Sequence, residues 1–249
     1  MKINLSKSIF PNFATSLNIF SGFLSIVYAG KGDFVYASLF IFAAAFFDLI
    51  DGLIARLTKT SSKFGVELDS LGDVVSFGVA PSYLLYKTYF YSFGIWGLIL
   101  SSLILIFGAF RLARFNIMLD DITKKHDFSG LPIPFSAVAI ASIVVFYHNG
   151  VSFPETVEKL LIPIVLLLSY LMVSSIRYNA WPKLKNMSFL GKTVVISSSI
   201  IAVILIYFTA GKAFLYFIVI NIVFGIARHI FFGMSVLKNS HLKLKEKTN

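Results

Sequence analysis

Four aspartates interrupt a strongly apolar region of the chain, at positions 48, 51, 69 and 73 of 48-DLIDGLIARLTKTSSKFGVELDSLGD-73. Asp48 and Asp51 are three apart and Asp69 and Asp73 four apart, so each pair shares one face of a helix. The polar stretch between Arg56 and Glu67 lets the second helix fold back on the third, which brings the pairs together. An isolated charge in lipid costs about 2.5 to 3.5 kcal/mol even on a lenient scale, and four carboxylates at one depth also repel one another. Something cationic must therefore lie between them. The chain has no Cys and no His near these positions, so an all-oxygen site selects hard cations, Mg²⁺ or Mn²⁺ with Ca²⁺ also admissible, over zinc or copper. Four carboxylates would neutralise two such ions. The competing account pairs some of these aspartates with Arg56, Lys59 or Lys63, or uses them to cap the third helix.

The residues around the acids narrow the chemistry without deciding it. Gly52 and Ala55 stand beside Asp48 and Asp51, where missing bulk would admit an extended ligand, although small residues also serve close helix packing in membranes. Arg56 suits phosphate oxygens, or marks topology. Asn12, Thr15 and Asn18, three apart in the first helix, would reach a nucleoside or hydrogen-bond a neighbouring helix. His126, His148, His229 and His241 are scattered without ligand spacing.

These residues must be positioned by membrane helices. With 57% apolar and only 14% charged residues, the composition excludes an ordinary soluble domain. The expected fold is all-α and polytopic, a single membrane domain over 1–249. About eight spans are expected, at 13–30, 34–57, 67–87, 92–114, 132–150, 157–176, 192–210 and 213–233, each near the ~20 residues that cross a hydrocarbon core. The first span is polar enough, and is followed by enough others, to be retained and not cleaved. The site falls within 11–135, helices without a recognised motif occupy 136–233, and 234–249 is a basic tail. Lys and Arg divide 18 to 4 between the two sides. That bias puts both termini and the acidic cluster in the cytoplasm. The net charge of +10 is spread between apolar runs, which points to anionic headgroups and not to nucleic acid.

Asp48, Asp51, Gly52, Ala55, Arg56, Gly65, Asp69 and Asp73 fit D-x2-D-G-x2-A-R-x8-G-x3-D-x3-D at all eight positions. This pattern resembles the signature of the CDP-alcohol phosphatidyltransferase family. The stretches 11-PNFATSLNIFSGF-23, 69-DSLGDVVSFGVAP-81, 111-RLARFN-116 and 129-SGLPIP-134 are similar to its serine-transferring membrane branch. The resemblance implies a CDP-lipid substrate, CDP-diacylglycerol or CDP-archaeol, and an alcohol that attacks the lipid-side phosphorus as CMP leaves. It also implies that Asp48, Asp51 and Asp69 ligate a first metal, and that Asp73 shares a second and takes the hydroxyl proton. Gly52, Ala55 and Arg56 would line the CDP pocket, with Gly65 shaping the turn beside it. A homodimer is implied as well.

Within this resemblance the expected acceptor is L-serine, with glycerol phosphate or inositol phosphate as the alternative. From another class, a divalent-cation or proton-coupled transporter also uses intramembrane carboxylates, but normally at the midplane and with paired broken helices. Serine carries a carboxylate, for which an arginine fork is the natural partner. Arg111 and Arg114, three apart on the fourth expected helix, are the candidates; the lipid phosphate and the positive-inside bias are competing explanations for both.

Overall fold

The computed structural model describes residues 5–58, 62–120, 130–176, 220 and 223, with the side chains of 5–10, 56, 58 and 118–120 excepted. All regular structure among them is helical: α1 Leu5–Lys31, α2 Phe34–Thr58, α3 Lys63–Asp73, a π-helical segment Val74–Val79, α4 Ala80–Thr88, a 3₁₀ turn Phe90–Phe93, α5 Ile95–Asp120, α6 Ile133–Tyr147 and α7 Glu155–Val173. The chain divides into two compact units, and all of these elements lie in the one formed by Met1–Lys125 and Pro132–Val173. In the other, the Gly130 N–H donates to the Ile176 carbonyl at 2.8 Å.

α1 and α2 form a tight hairpin for a local reason. Gly32 takes φ +86°, and the N–H groups of Gly32 and Asp33 return to the carbonyls of Ala29 and Tyr28 at 3.2 and 2.9 Å. This paired closure ends a helix on a left-handed residue, which glycine adopts without cost. Tyr28 then packs on Tyr36 and Phe40 across the hairpin, with ring centroids 5.5 and 5.3 Å apart. On the next loop, Ser62 caps α3 by accepting the Gly65 N–H at 3.0 Å.

The third expected span appears as one helical run from Lys63 to Thr88, widened in its middle by the π segment. There the Ala80 N–H bonds the Val75 carbonyl, five residues back. Pro81 follows immediately, has no N–H to give, and crowds the preceding turn, a condition that π geometry relieves. This run lies parallel to α1: Gly65 faces Asn12, Gly72 faces Thr15 and Ile19, and Gly22 faces Ser76.

The Gly22–Ser76 approach is the closest of these. A Cβ built on Gly22 would stand 2.3 Å from Ser76 Oγ and 2.7 Å from Ser76 Cα, while the Ser76 hydroxyl donates to the Asn18 carbonyl at 2.9 Å. Gly22→Ala would force α1 from the π segment, and overpacking of this kind costs about 1 to 3 kcal/mol. Thermal unfolding in detergent should show a lower midpoint for Gly22→Ala. Gly30→Ala, whose Cβ would meet nothing closer than Tyr83 Oη at 3.6 Å, should leave the midpoint unchanged. Equal midpoints for Gly22→Ala and the wild type would refute the tight contact.

Among the described residues, four helices are long and apolar enough to span a membrane: Pro11–Lys31, Phe34–Ala55, Ile95–Ile117 and Glu155–Val173. Phe20, Phe23, Phe46, Leu53 and Phe110 on these helices are exposed, as side chains that meet lipid are. The fifth expected span is shorter than anticipated. α6 covers 15 residues, and its Ser136, Ala137 and Ala139–Val144 are buried against neighbouring helices. Its uniform apolarity reflects a core position, which hydropathy alone does not separate from a lipid-facing one. After it, His148 is wedged edge-on between Phe34 and Phe153, with centroids 5.0 and 4.8 Å away. The expected seventh and eighth spans lie outside the described residues, apart from Ile220 and Val223, which are helical.

Candidate active site

The two aspartate pairs converge. Asp48 and Asp51 lie in the last turns of α2, and Asp69 and Asp73 lie at the end of α3. Asp48, Asp51 and Asp69 each offer a carboxylate oxygen, and these oxygens all lie within 4.8 Å of one another. Asp73 is only 8% exposed, and the other three carboxylates act on it electrostatically. Asp69 Oδ1 and Asp73 Oδ1 are buried and have no hydrogen-bond partner among the described residues. Buried carboxylate oxygens left bare are costly. This donor set fits hard divalent cations, which take several oxygen ligands.

α1 supplies the wall beside the acids. The Thr15 hydroxyl lies 2.9 Å from Asp51 Oδ2 and 3.1 Å from the Pro11 carbonyl, and the Gly52 N–H also donates to the Asp51 carboxylate. Asp51, 6% exposed, is thus held in one orientation. Gly72, between the α3 acids, allows this close packing: a Cβ there would stand 3.0 Å from Ile19 Cγ1 and 3.6 Å from Thr15 Cγ2. Asn12 lies beside Gly65, its Oδ1 3.4 Å from where a Cβ would be. Asn18 is fully buried, with neither amide atom partnered among the described residues. Ala55 is half-buried on α2, and the Arg56 side chain lies outside the described residues.

The two arginines of α5 part company. Arg114 donates from Nη1 to the Val173 carbonyl at 2.9 Å, at the C-terminus of α7, where a cation meets the negative end of the helix dipole. Arg111 Nε is buried without a hydrogen-bond partner among the described residues, and the Asp73 charge is among those felt by its guanidinium. A third contact has no counterpart in the sequence reading. Asn116 Nδ2 donates to Ser70 Oγ at 3.1 Å and Glu67 Oε2 at 3.4 Å, tying α5 to α3 between the acids and the turn. Its presence in 111-RLARFN-116 is the only hint of it.

The fold and site therefore define a class, an α-helical membrane protein with a carboxylate centre at one end of its helices. The model of the CDP-alcohol phosphatidyltransferase family matches residues 8–169, and the chain belongs to that family. It is accordingly an enzyme, a transferase of phospholipid biosynthesis in the membrane. The chain is 41% identical over 234 residues to the CDP-diacylglycerol--serine O-phosphatidyltransferase of Helicobacter pylori (strain J99), covering 94% of this chain and 96% of that one. It is 38% identical over 173 residues to the protein of the same description from Methanocaldococcus jannaschii, 69% of this chain and 74% of that one. It is also 37% identical over 170 residues to the archaetidylserine synthase of Methanothermobacter thermautotrophicus, 68% of each.

Proposed function

We propose that this enzyme transfers the phosphatidyl or archaetidyl group of a CDP-lipid to the hydroxyl of L-serine and releases CMP. The observation that carries the reading is the convergence of Asp48, Asp51 and Asp69 within 4.8 Å, with Asp73 buried and bare beside them. The names of the relatives support the choice of acceptor.

Asp48, Asp51 and Asp69 would hold one divalent cation, Mg²⁺ or Mn²⁺, and Asp73 would share a second; bound there, the ions would neutralise the diphosphate and polarise its lipid-side phosphorus. Asp73 accepts the serine hydroxyl proton as the Oγ–P bond forms. The phosphoanhydride bond to CMP breaks, and its electron pair leaves with the CMP phosphate. Thr15 and the Gly52 N–H keep Asp51 in register, so the chain contributes chiefly positioning and charge neutralisation. Gly52 and Ala55 leave room for the diphosphate, Arg56 contributes a positive charge suited to it, and Gly65 shapes the turn. Asn12 and Asn18, with Thr15, line the cytidine side; the unpartnered Asn18 amide is suited to a base or ribose. The 18 to 4 bias of basic residues supports a cytoplasmic active end and cytoplasmic termini. The protein works as a homodimer, with membrane lipid on its exposed apolar surface.

An acceptor panel tests the proposal. Purified protein with a CDP-lipid and Mg²⁺ or Mn²⁺ should release CMP in response to serine, and far less in response to glycerol 3-phosphate or inositol phosphate. Preference for either phosphate would replace serine as the acceptor while keeping the family's chemistry.

A further inference from the structure

His148 and the loop after it lie against the start of α2, the end of that helix away from the carboxylate centre. The sequence there is 148-HNGVS-152, and its polar atoms converge on the Asn149–Gly150 bond. The Gly150 N–H donates to His148 Nδ1 at 3.1 Å, so that ring nitrogen carries no proton and is free to take one. Asn149 Oδ1 accepts the N–H groups of Val151 and Ser152, each at 2.9 Å. The Asn149 N–H closes the turn on the Ser152 carbonyl at 3.2 Å. His148 is only 9% exposed and is gripped edge-on by Phe34 and Phe153, whereas residues 149–152 are exposed. A cavity of about 210 Å³, bordered by Asp33, Phe34, His148 and Gly150, opens beside them, so water reaches the same atoms.

Each part has a counterpart in acyl transfer. The Gly150 nitrogen is the nucleophile, within hydrogen-bond reach of a base whose ring is held by its neighbours. The two N–H groups on Asn149 Oδ1 stand where an oxyanion hole has its donors. Gly150 adopts φ +93°, and nothing lies within 4 Å of where its Cβ would be, so no side chain shields the attacking nitrogen.

We propose that Asn149–Gly150 is a self-modifying site, at which the Gly150 nitrogen attacks Asn149 Cγ with His148 as base and expels ammonia. The Gly150 N–H proton passes to His148 Nδ1 as the N–Cγ bond forms, and the Val151 and Ser152 N–H groups hold the charge that develops on Oδ1. The Cγ–Nδ2 bond then breaks, and the proton goes to the departing nitrogen, which leaves as ammonia. A succinimide remains. Water opens it at either carbonyl, to aspartate or isoaspartate, which places a new negative charge beside Asp33. No part of the carboxylate centre takes part, so the site stands independently of the acceptor proposed above.

The test holds the full-length protein in detergent at neutral pH and physiological temperature, and follows the 149–150 segment by digestion and mass spectrometry. The readouts are loss of ammonia, then aspartate and isoaspartate at position 149. A synthetic peptide of residues 144–155 gives the rate of the same dipeptide without the fixed geometry. Asn149 should be lost at least tenfold faster from the protein than from the peptide, since a positioned base and an oxyanion hole each contribute on the order of 10² or more. His148→Gln, whose amide accepts the Gly150 N–H but takes no proton, should remove that advantage and leave serine-dependent CMP release unchanged. A rate in the protein less than tenfold above that of the peptide would overturn the proposal and make the loop's hydrogen bonds protective. An undiminished advantage in His148→Gln would overturn it as well, because the base would then be another group. Should that variant not survive purification, the wild type against the peptide decides.

Discussion

Asp73→Asn should lose about 10²- to 10⁴-fold in turnover while binding the CDP-lipid nearly as well as the wild type, since a positioned general base contributes on that order. The substitution keeps the shape of the side chain and removes the capacity to take a proton, while the amide oxygen can still ligate a hard cation. Asp73 suits the role because it is nearly buried, its Oδ1 is unengaged, and the π segment that begins at Val74 fixes the end of its helix. Turnover is read as serine-dependent CMP release, and binding by competition with a labelled CDP-lipid. Near-wild-type turnover would remove Asp73 from the mechanism, and loss of binding together with turnover would make it a ligand holder without a basic role.

Removal of divalent ions should have the other large effect. At 4.8 Å, two unit charges repel by about 3 to 4 kcal/mol at an effective dielectric near 20, and three acids make three such pairs. Treatment with EDTA should abolish CMP release, and added Mg²⁺ or Mn²⁺ should restore it. It should also lower the thermal midpoint, because an ion that binds only the folded state stabilises it by mass action. Full activity in a sample verified as metal-free would mean that the carboxylates are compensated by protein cations.

Much of this site was legible in the sequence because it depends on local spacing. The separations 48 to 51 and 69 to 73 put each pair on one helical face, and the polar turn between the helices let them meet. The contacts that were not legible join elements distant in the chain. That Gly22 must be small is a consequence of Ser76 lying against it, which no spacing rule contains. The π segment follows from Pro81 acting within a continuous helix, where sequence suggested only one long span. Arg111 and Arg114 lie about 60° apart around α5 by helical geometry. A common face says nothing of their different surroundings: Arg114 donates to the end of α7, while Arg111 Nε is buried without a partner among the described residues. α6 was overextended because a core helix and a short span have the same apolar composition.

The central claim is that the serine hydroxyl attacks the lipid-side phosphorus at the carboxylate centre. It is tested most directly with serine carrying ¹⁸O in its hydroxyl, incubated with the purified protein, a CDP-lipid and Mg²⁺ or Mn²⁺, followed by mass spectrometry of both products. The account predicts a serine phospholipid that retains the ¹⁸O between phosphorus and carbon, an equal amount of CMP, and no label in the CMP. Label in the CMP, loss of label from the lipid, or CMP formed without any serine phospholipid would contradict it.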